Sequence, residues 1–256
     1  MKPPVVPALR LAVCLLIAAT STAAQEFWDK KDYREWTEKE CRRILEDSPW
    51  TKRYVVQRAV LQELGTRTLD RGRESAPSVE YHVQLRSAAP VRRAMVRLQM
   101  LGMKYDKLKP EEQRAFDQQA EKFLNAPMGD RVVIFVAFST NVPAFVADLS
   151  NYWRSQSTEV IKQNIKLFPP RGDNLPPVNF IPGQDGFQLI FPRESAREPI
   201  LTANDKEMRL EFVSPQISGV AGDLGSASAA RTGVPTERIL VAFKVKEMNF
   251  AGKLAY

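Results

Sequence analysis

Histidine is nearly absent from this 256-residue chain, which contains only His82. A Ser-His-Asp triad would depend on that one residue, and no G-x-S-x-G turn accompanies it. Zinc sites need several His or Cys ligands, which the chain does not supply. Phosphate-binding glycine loops and EF-hand loops are also missing from the sequence. We therefore predict no catalytic residue, no metal and no cofactor, and we expect His82 to be a solvated side chain on a strand.

Cysteine is almost as scarce, with Cys14 and Cys41 alone. Cys14 lies in residues 1–24, where a basic start, an apolar run and small residues before a cleavage point are typical of a signal peptide. The apolar run is shorter than the roughly 20 residues that span a bilayer. Cleavage leaves Cys41 without a disulfide partner, and we expect it to be buried. The sequence predicts an exported protein, periplasmic or extracellular, with no transmembrane segment after cleavage; an uncleaved anchor is the alternative.

A strong excess of charge is missing as well. Removing residues 1–24 lowers the formal net charge from +7 to +5, because that segment contains two basic residues and no acidic one. This mild excess predicts no nucleic-acid partner. The densest positive cluster comprises Arg86, Arg92, Arg93 and Arg97. Arg92, Arg93 and Arg97 are candidates for binding an anionic polymer or lipid headgroup, and a solvated helix face is the alternative. In both cases we expect them to point outward.

A short self-capped helix is predicted close to the start of the mature chain. Thr37 and Glu40 have the spacing of a capping box, in which each side chain bonds to the other residue's backbone N–H. Trp36 precedes the cap, and Cys41 stands where a hydrophobic staple would reach. Pro49 ends the helix, since the residue before a proline avoids the helical region.

Aromatic residues surround this predicted helix. A helix so short is unstable alone and needs a surface to pack on. One interpretation is a latch, in which the aromatics clamp the helix to the main body. The other is an exposed aromatic surface that binds a ligand. The candidate residues for both are Trp28, Tyr33, Trp36 and Trp50.

The segment "EFWDKKDYREWTEKECRRILEDSPW" resembles the start of the mature chain in a family of signal-peptide-bearing bacterial exported proteins. In that family a W-(S/T)-E-K-E element and an S-P-W element precede a strand. The stretches "VQLRSAAPVRRA", "FQLIFPRE" and "FKVKEMNFAGKLAY" are similar too. The resemblance implies a secreted or periplasmic protein. It implies no activity, so no functional residue is transferred.

The remaining chain mixes strands and helices. "TKRYVVQRAVLQEL" fits a helix or a strand, and we favour a strand because "SVEYHVQLRS" follows and alternates cleanly. Two helical patterns follow between Ser87 and Arg131, then a buried strand "RVVIFVAFS" and a helix "PAFVADLSNYWRSQ". From Glu159 onward we predict strands at "EVIKQNIKLF", "PVNFIP", "FQLIFPR", "EMRLEFV" and "RILVAFKVKEM". A long Gly/Ala/Ser loop, "SGVAGDLGSASAARTGVP", separates the last two.

These patterns predict an α+β fold. Its core is an antiparallel, sandwich-like sheet with a helical insertion and an N-terminal capping helix. We expect a signal peptide at 1–24, a capping-helix segment at 25–52 and a single α+β domain at 53–256. A split near residue 155 is the alternative.

Few motifs carry chemistry. "FQLIFPRE" predicts a half-buried edge strand, with strand addition by a partner as its functional interpretation. "RGD" at Arg171 and the turns at Asp173 and Asp205 are ordinary loop sequences.

We predict an exported, non-catalytic envelope protein that binds another envelope protein or a cell-wall component. The alternative is a hydrolase with two carboxylates about 5–10 Å apart acting on an envelope polymer.

Overall fold

The computed structural model describes residues 26–57, 78–215 and 237–256. All the strands in these ranges belong to two antiparallel sheets and two short hairpins. The predicted signal peptide, the end of "TKRYVVQRAVLQEL" and the Gly/Ala/Ser loop lie outside these ranges. The strands are β1 (Thr51–Gln57), β2 (Ser78–Leu85), β3 (Arg131–Thr140), β4 (Lys166–Phe168), β5 (Asn179–Pro182), β6 (Gly186–Pro192), β7 (Glu194–Ser195), β8 (Glu198–Pro199), β9 (Glu207–Ser214), β10 (Glu237–Lys244), β11 (Asn249–Phe250) and β12 (Lys253–Leu254).

The larger sheet has the order β1-β2-β3-β6-β5, and the smaller one has the order β10-β9-β4. β7 pairs with β8, and β11 pairs with β12. The helices are α1 (Phe27–Lys30), α2 (Glu38–Glu46), α3 (Ala89–Gly102), α4 (Pro110–Leu124), α5 (Ala144–Ser155) and α6 (Thr158–Asn164), with 3-10 turns at Tyr33–Glu35, Tyr105–Lys107 and Val245–Glu247.

Aromatic side chains from both sheets meet in one core. Along β2 burial alternates strictly, so that Tyr81 and its neighbours two residues away point inward. The Tyr81 ring lies 5.2 Å from Phe212 of β9, and its hydroxyl lies 2.8 Å from Ser214 Oγ. Phe187 of β6 lies 6.2 Å from Phe212, and Trp153 of α5 packs 4.2 Å from Phe187. The predicted α+β fold with a sandwich-like antiparallel core is confirmed.

The helical insertion is also confirmed, since α3 and α4 lie between β2 and β3. It carries a small apolar cluster of its own, formed by Val96, Met100, Phe116 and Ala120. The main core cluster instead includes residues from Trp28 to Tyr256. Both ends of the described chain therefore contribute to the same packed interior.

Two strand predictions are wrong. Residues 158–164 form α6 instead of a strand, because Ser157 caps the helix by accepting from the Val160 N–H at 3.3 Å. Only Lys166–Phe168 of the predicted segment is a strand. β6 is not an edge strand, because β3 and β5 flank it on both sides. Strand addition at "FQLIFPRE" is therefore blocked by the sheet itself, and β5 holds the edge position.

Candidate functional site

The N-terminal capping helix forms as predicted. Thr37 Oγ1 accepts from the Glu40 N–H at 3.2 Å, and Glu40 Oε2 accepts from the Thr37 N–H at 2.8 Å. Trp36 before the cap and Cys41 in the first turns are both fully buried. Burial raises the pKa of the Cys41 thiol to about 11, so this cysteine is protonated and shielded.

The aromatic residues form a packed cluster instead of an exposed surface. Trp28, Trp36 and Trp50 are buried, and Tyr33 is half-buried. Trp28 lies 5.4 Å from Trp50, and Tyr33 lies 6.4 Å from Trp36, with the rings edge to face. The Trp50 Nε1–H donates to the Ala255 carbonyl at 2.8 Å. These contacts are those of the latch.

The arginines of α3 do not point outward, and that expectation is wrong. Arg92 is 8% exposed, and its Nη1 donates to the carbonyls of Phe123 and Ala126 at 3.2 and 3.3 Å. These carbonyls lie at the C-terminal end of α4, where a cation satisfies unpaired carbonyls and the helix dipole. Burial, then repulsion from Arg193 and Arg93, lowers the pKa of Arg92.

Arg93 and Arg97 are half-buried and also serve the fold. The Arg93 guanidinium lies 4.9 Å from the centre of the Phe250 ring. Arg97 Nε donates to the Trp36 carbonyl at 2.9 Å, which ties α3 to the N-terminal segment. Sequence reasoning did not find Arg193, which donates to the Met128 and Tyr256 carbonyls at 2.8 and 2.6 Å.

A polar groove separates the N-terminal segment from the β11–β12 hairpin. Its volume is about 1010 Å³, which is at the upper end for ligand sites. We call it the terminal groove. Its lining residues are Glu26, Trp28, Asp29, Arg43, Asp47, Ser48, Pro49, Lys52, Lys246, Glu247, Asn249, Ala251 and Gly252. Of the residues predicted to bind a ligand, only Trp28 is among them.

Hydrogen bonds hold both walls of the terminal groove. Asp29 Oδ1 accepts from the Ala251 N–H at 2.8 Å, which joins the two walls directly. Arg43 Nη2 lies 3.1 Å from Glu26 Oε2, and its guanidinium lies 5.7 Å from the Trp28 ring. Lys246 on the opposite wall is exposed. The groove thus presents both signs of charge beside one nearly buried aromatic side chain, Trp28, which suits a polar ligand that carries both donors and acceptors.

Sequence analysis missed the hairpin wall of the groove. Ala251 and Gly252 adopt positive φ values of 51° and 74°. Two consecutive positive φ values are typical of the tight two-residue turn of a hairpin. The glycine in "FAGK" was the available signal, since few other residues tolerate that conformation.

The other polar candidates hold turns or pair with neighbours. Asp205 is buried and accepts from the Thr202 N–H at 2.7 Å and from Arg171 Nε at 3.1 Å. Burial alone would raise the pKa of Asp205, and these bonds outweigh it, so the pKa is lowered. Arg171 of "RGD" is therefore engaged within the fold. His82 is half-buried and not simply solvated, with Nε2 3.1 Å from Glu80 Oε1.

In the described part of the chain, no group of three or more His, Cys, Asp or Glu residues is placed to hold a metal ion. Within the same residues, no helix has the length and apolarity needed to cross a membrane. Comparisons with protein-family models, with curated proteins and with solved structures find no match.

Proposed function

We propose that this protein is an exported, non-catalytic binding module of the cell envelope, periplasmic or extracellular. Its ligand is another envelope protein or a cell-wall component, and the terminal groove is the binding site. The observation that carries the proposal is the groove itself, built where the N-terminal segment meets the β11–β12 hairpin. Export is supported by the signal-peptide pattern of residues 1–24.

The groove is held in shape before any ligand arrives. The Asp29–Ala251 bond joins its two walls, and the Trp50–Ala255 bond joins the same two segments behind them. Trp28 is 5% exposed and packs on Trp50, so the aromatic part of the wall is fixed. A preformed site favours binding because less conformational entropy is lost when the ligand docks.

A carboxylate hydrolase has less support. A general acid at neutral pH needs a carboxyl group whose pKa is raised. The described carboxyl groups with a clearly shifted pKa are Glu40, Glu80, Asp130 and Asp205, and all four pKa values are lowered. Within the groove, Glu26 is paired with Arg43.

Charge reversal at the groove tests the proposal. Lys246→Glu places a negative charge on an exposed position of the 3-10 turn before the hairpin, in the groove wall, while Lys122→Glu makes the same change on exposed α4, outside the groove. We expect the mature protein to bind an isolated envelope fraction, either cell-wall sacculi or solubilised envelope proteins. Lys246→Glu should weaken that binding by about tenfold, and Lys122→Glu should leave it unchanged.

Cosedimentation with sacculi, and titration with the solubilised envelope proteins, measure the binding of the wild type and of each variant. Equal binding by wild type and Lys246→Glu would place the ligand elsewhere. Release of soluble sugar or peptide from the sacculi by the purified protein would contradict the non-catalytic assignment and favour the hydrolase.

A further inference from the structure

Arg86 is a half-buried cation without a counter-charge among the described residues. Its guanidinium carbon lies 3.6 Å from the centre of the Phe135 ring, and it forms no hydrogen bond or ion pair with any described residue. Its Nε is shielded from solvent and has no acceptor. Burial lowers the pKa of Arg86 with no opposing contribution from a carboxylate. Four described side chains carry such an unsatisfied buried donor, which is costly. Trp36, Arg92 and Trp153 are buried in the interior, whereas Arg86 is half-buried on a sheet face that a ligand can reach.

The surroundings of Arg86 form a row across the larger sheet. Phe135 pairs with Gln84 of β2 on one side and with Gln188 of β6 on the other, and Gln188 pairs with Ile181 of β5. Residues that pair across a sheet share a face, so these four side chains form one strip, which we call the Phe135 row. This face is opposite to the one that carries Tyr81 and Phe187 into the core.

The Phe135 row is partly open to solvent. Gln84, Phe135 and Gln188 are half-buried, and Ile181 is 46% exposed. The strip therefore joins a cation that has no counter-charge among the described residues, the Gln188 amide and the exposed Ile181 at the sheet edge, while the Gln84 Nε2 already donates to the Leu45 carbonyl at 2.8 Å. None of its members lines the terminal groove.

We propose that Arg86 and the Phe135 row bind an acidic, partly apolar peptide segment of another protein. A carboxylate of the segment accepts two hydrogen bonds from the guanidinium, in the bidentate geometry that arginine favours. An apolar residue of the same segment covers Ile181 at the other end of the row. A peptide is favoured by charge complementarity together with the exposed Ile181 side chain, which an acidic sugar or a free phosphate would leave uncovered.

Two peptides that differ only in charge, titrated into the wild-type protein, test the proposal. The probes are a short blocked peptide of alternating glutamate and isoleucine, and the same peptide with glutamine in place of glutamate. We expect the glutamine peptide to bind at least about tenfold more weakly in a calorimetric titration. Equal affinity for both peptides, or no binding of either, would overturn the proposal. Binding of inorganic phosphate or of oligogalacturonate, with no binding of the glutamate peptide, would assign the site to another ligand class.

Two matched variants locate the site. Arg86→Gln should weaken glutamate-peptide binding by about tenfold, while its thermal midpoint stays at or above that of the wild type, because a half-buried charge with no counter-charge among the described residues is removed. Arg209→Gln is the control, since Arg209 also lies over a phenylalanine ring, 5.9 Å from Phe168 in the smaller sheet. Full peptide binding by Arg86→Gln would exclude this site. Lys246→Glu should bind the peptide normally, which would show that this site is separate from the terminal groove.

Discussion

Trp36 and Trp50 are both fully buried, and they differ in one hydrogen bond. The Trp50 Nε1–H donates to the Ala255 carbonyl, whereas the Trp36 Nε1–H has no acceptor. Trp36→Ala should destabilise the fold by about 3–5 kcal/mol, the range for large core truncations. Trp36→Phe keeps an aromatic ring and removes the unsatisfied donor, so we expect a cost of only about 1 kcal/mol.

Trp50→Phe makes the same change in shape but leaves the Ala255 carbonyl without its donor. That loss adds about 1–3 kcal/mol. Urea unfolding followed by far-ultraviolet circular dichroism measures all three variants, because this signal does not depend on the tryptophans that are removed. Thermal midpoints should fall by about 2–4 °C for each kcal/mol lost. A cost below about 1 kcal/mol for Trp36→Ala would refute the latch, and equal costs for Trp36→Phe and Trp50→Phe would refute the role of the Trp50–Ala255 hydrogen bond.

Three further predictions concern single positions. Gly186→Ala should destabilise by about 3 kcal/mol, since its new methyl group would lie 2.8 Å from the Ala137 Cα of β3, and thermal melts check this. Thr37→Ala removes the helix cap and should cost about 1 kcal/mol in urea unfolding, with Thr37→Ser as the variant that retains it. Arg53, with His82, holds the pKa of Glu80 below its usual 4.5. The stability that Glu80 contributes is therefore present above that pH and lost below it, so the deficit of Glu80→Gln in urea should shrink on acidification.

Local patterns were sufficient for the capping helix. Both bonds of the Thr37–Glu40 box lie within four residues, so the sequence contains all the information that they require. Helix α6 shows where the same reasoning was misapplied. Val160, Ile161 and Ile165 favour a strand by their β-branched side chains. The buried pair Ile161 and Ile165 nevertheless has helical i, i+4 spacing, and Ser157 was available as a cap.

Contacts between distant segments could not be predicted in this way. Arg92 is buried because its acceptors, the Phe123 and Ala126 carbonyls, belong to a helix end more than 30 residues further along. The position of β6 within the sheet likewise depends on which strands pair with it. The terminal groove combines residues from opposite ends of the described chain, so only Trp28 was a candidate from the sequence.

The most direct test of the terminal groove is site-specific photocrosslinking in intact cells. A photoreactive residue at Asn249 lies in the groove wall, and one at Asn125, exposed beyond the end of α4, is the matched control. We predict that the Asn249 probe crosslinks to one discrete envelope protein or to cell-wall fragments, and that Lys246→Glu strongly reduces this product. No product at Asn249, or the same product at Asn125, would contradict the assignment of the groove as the binding site.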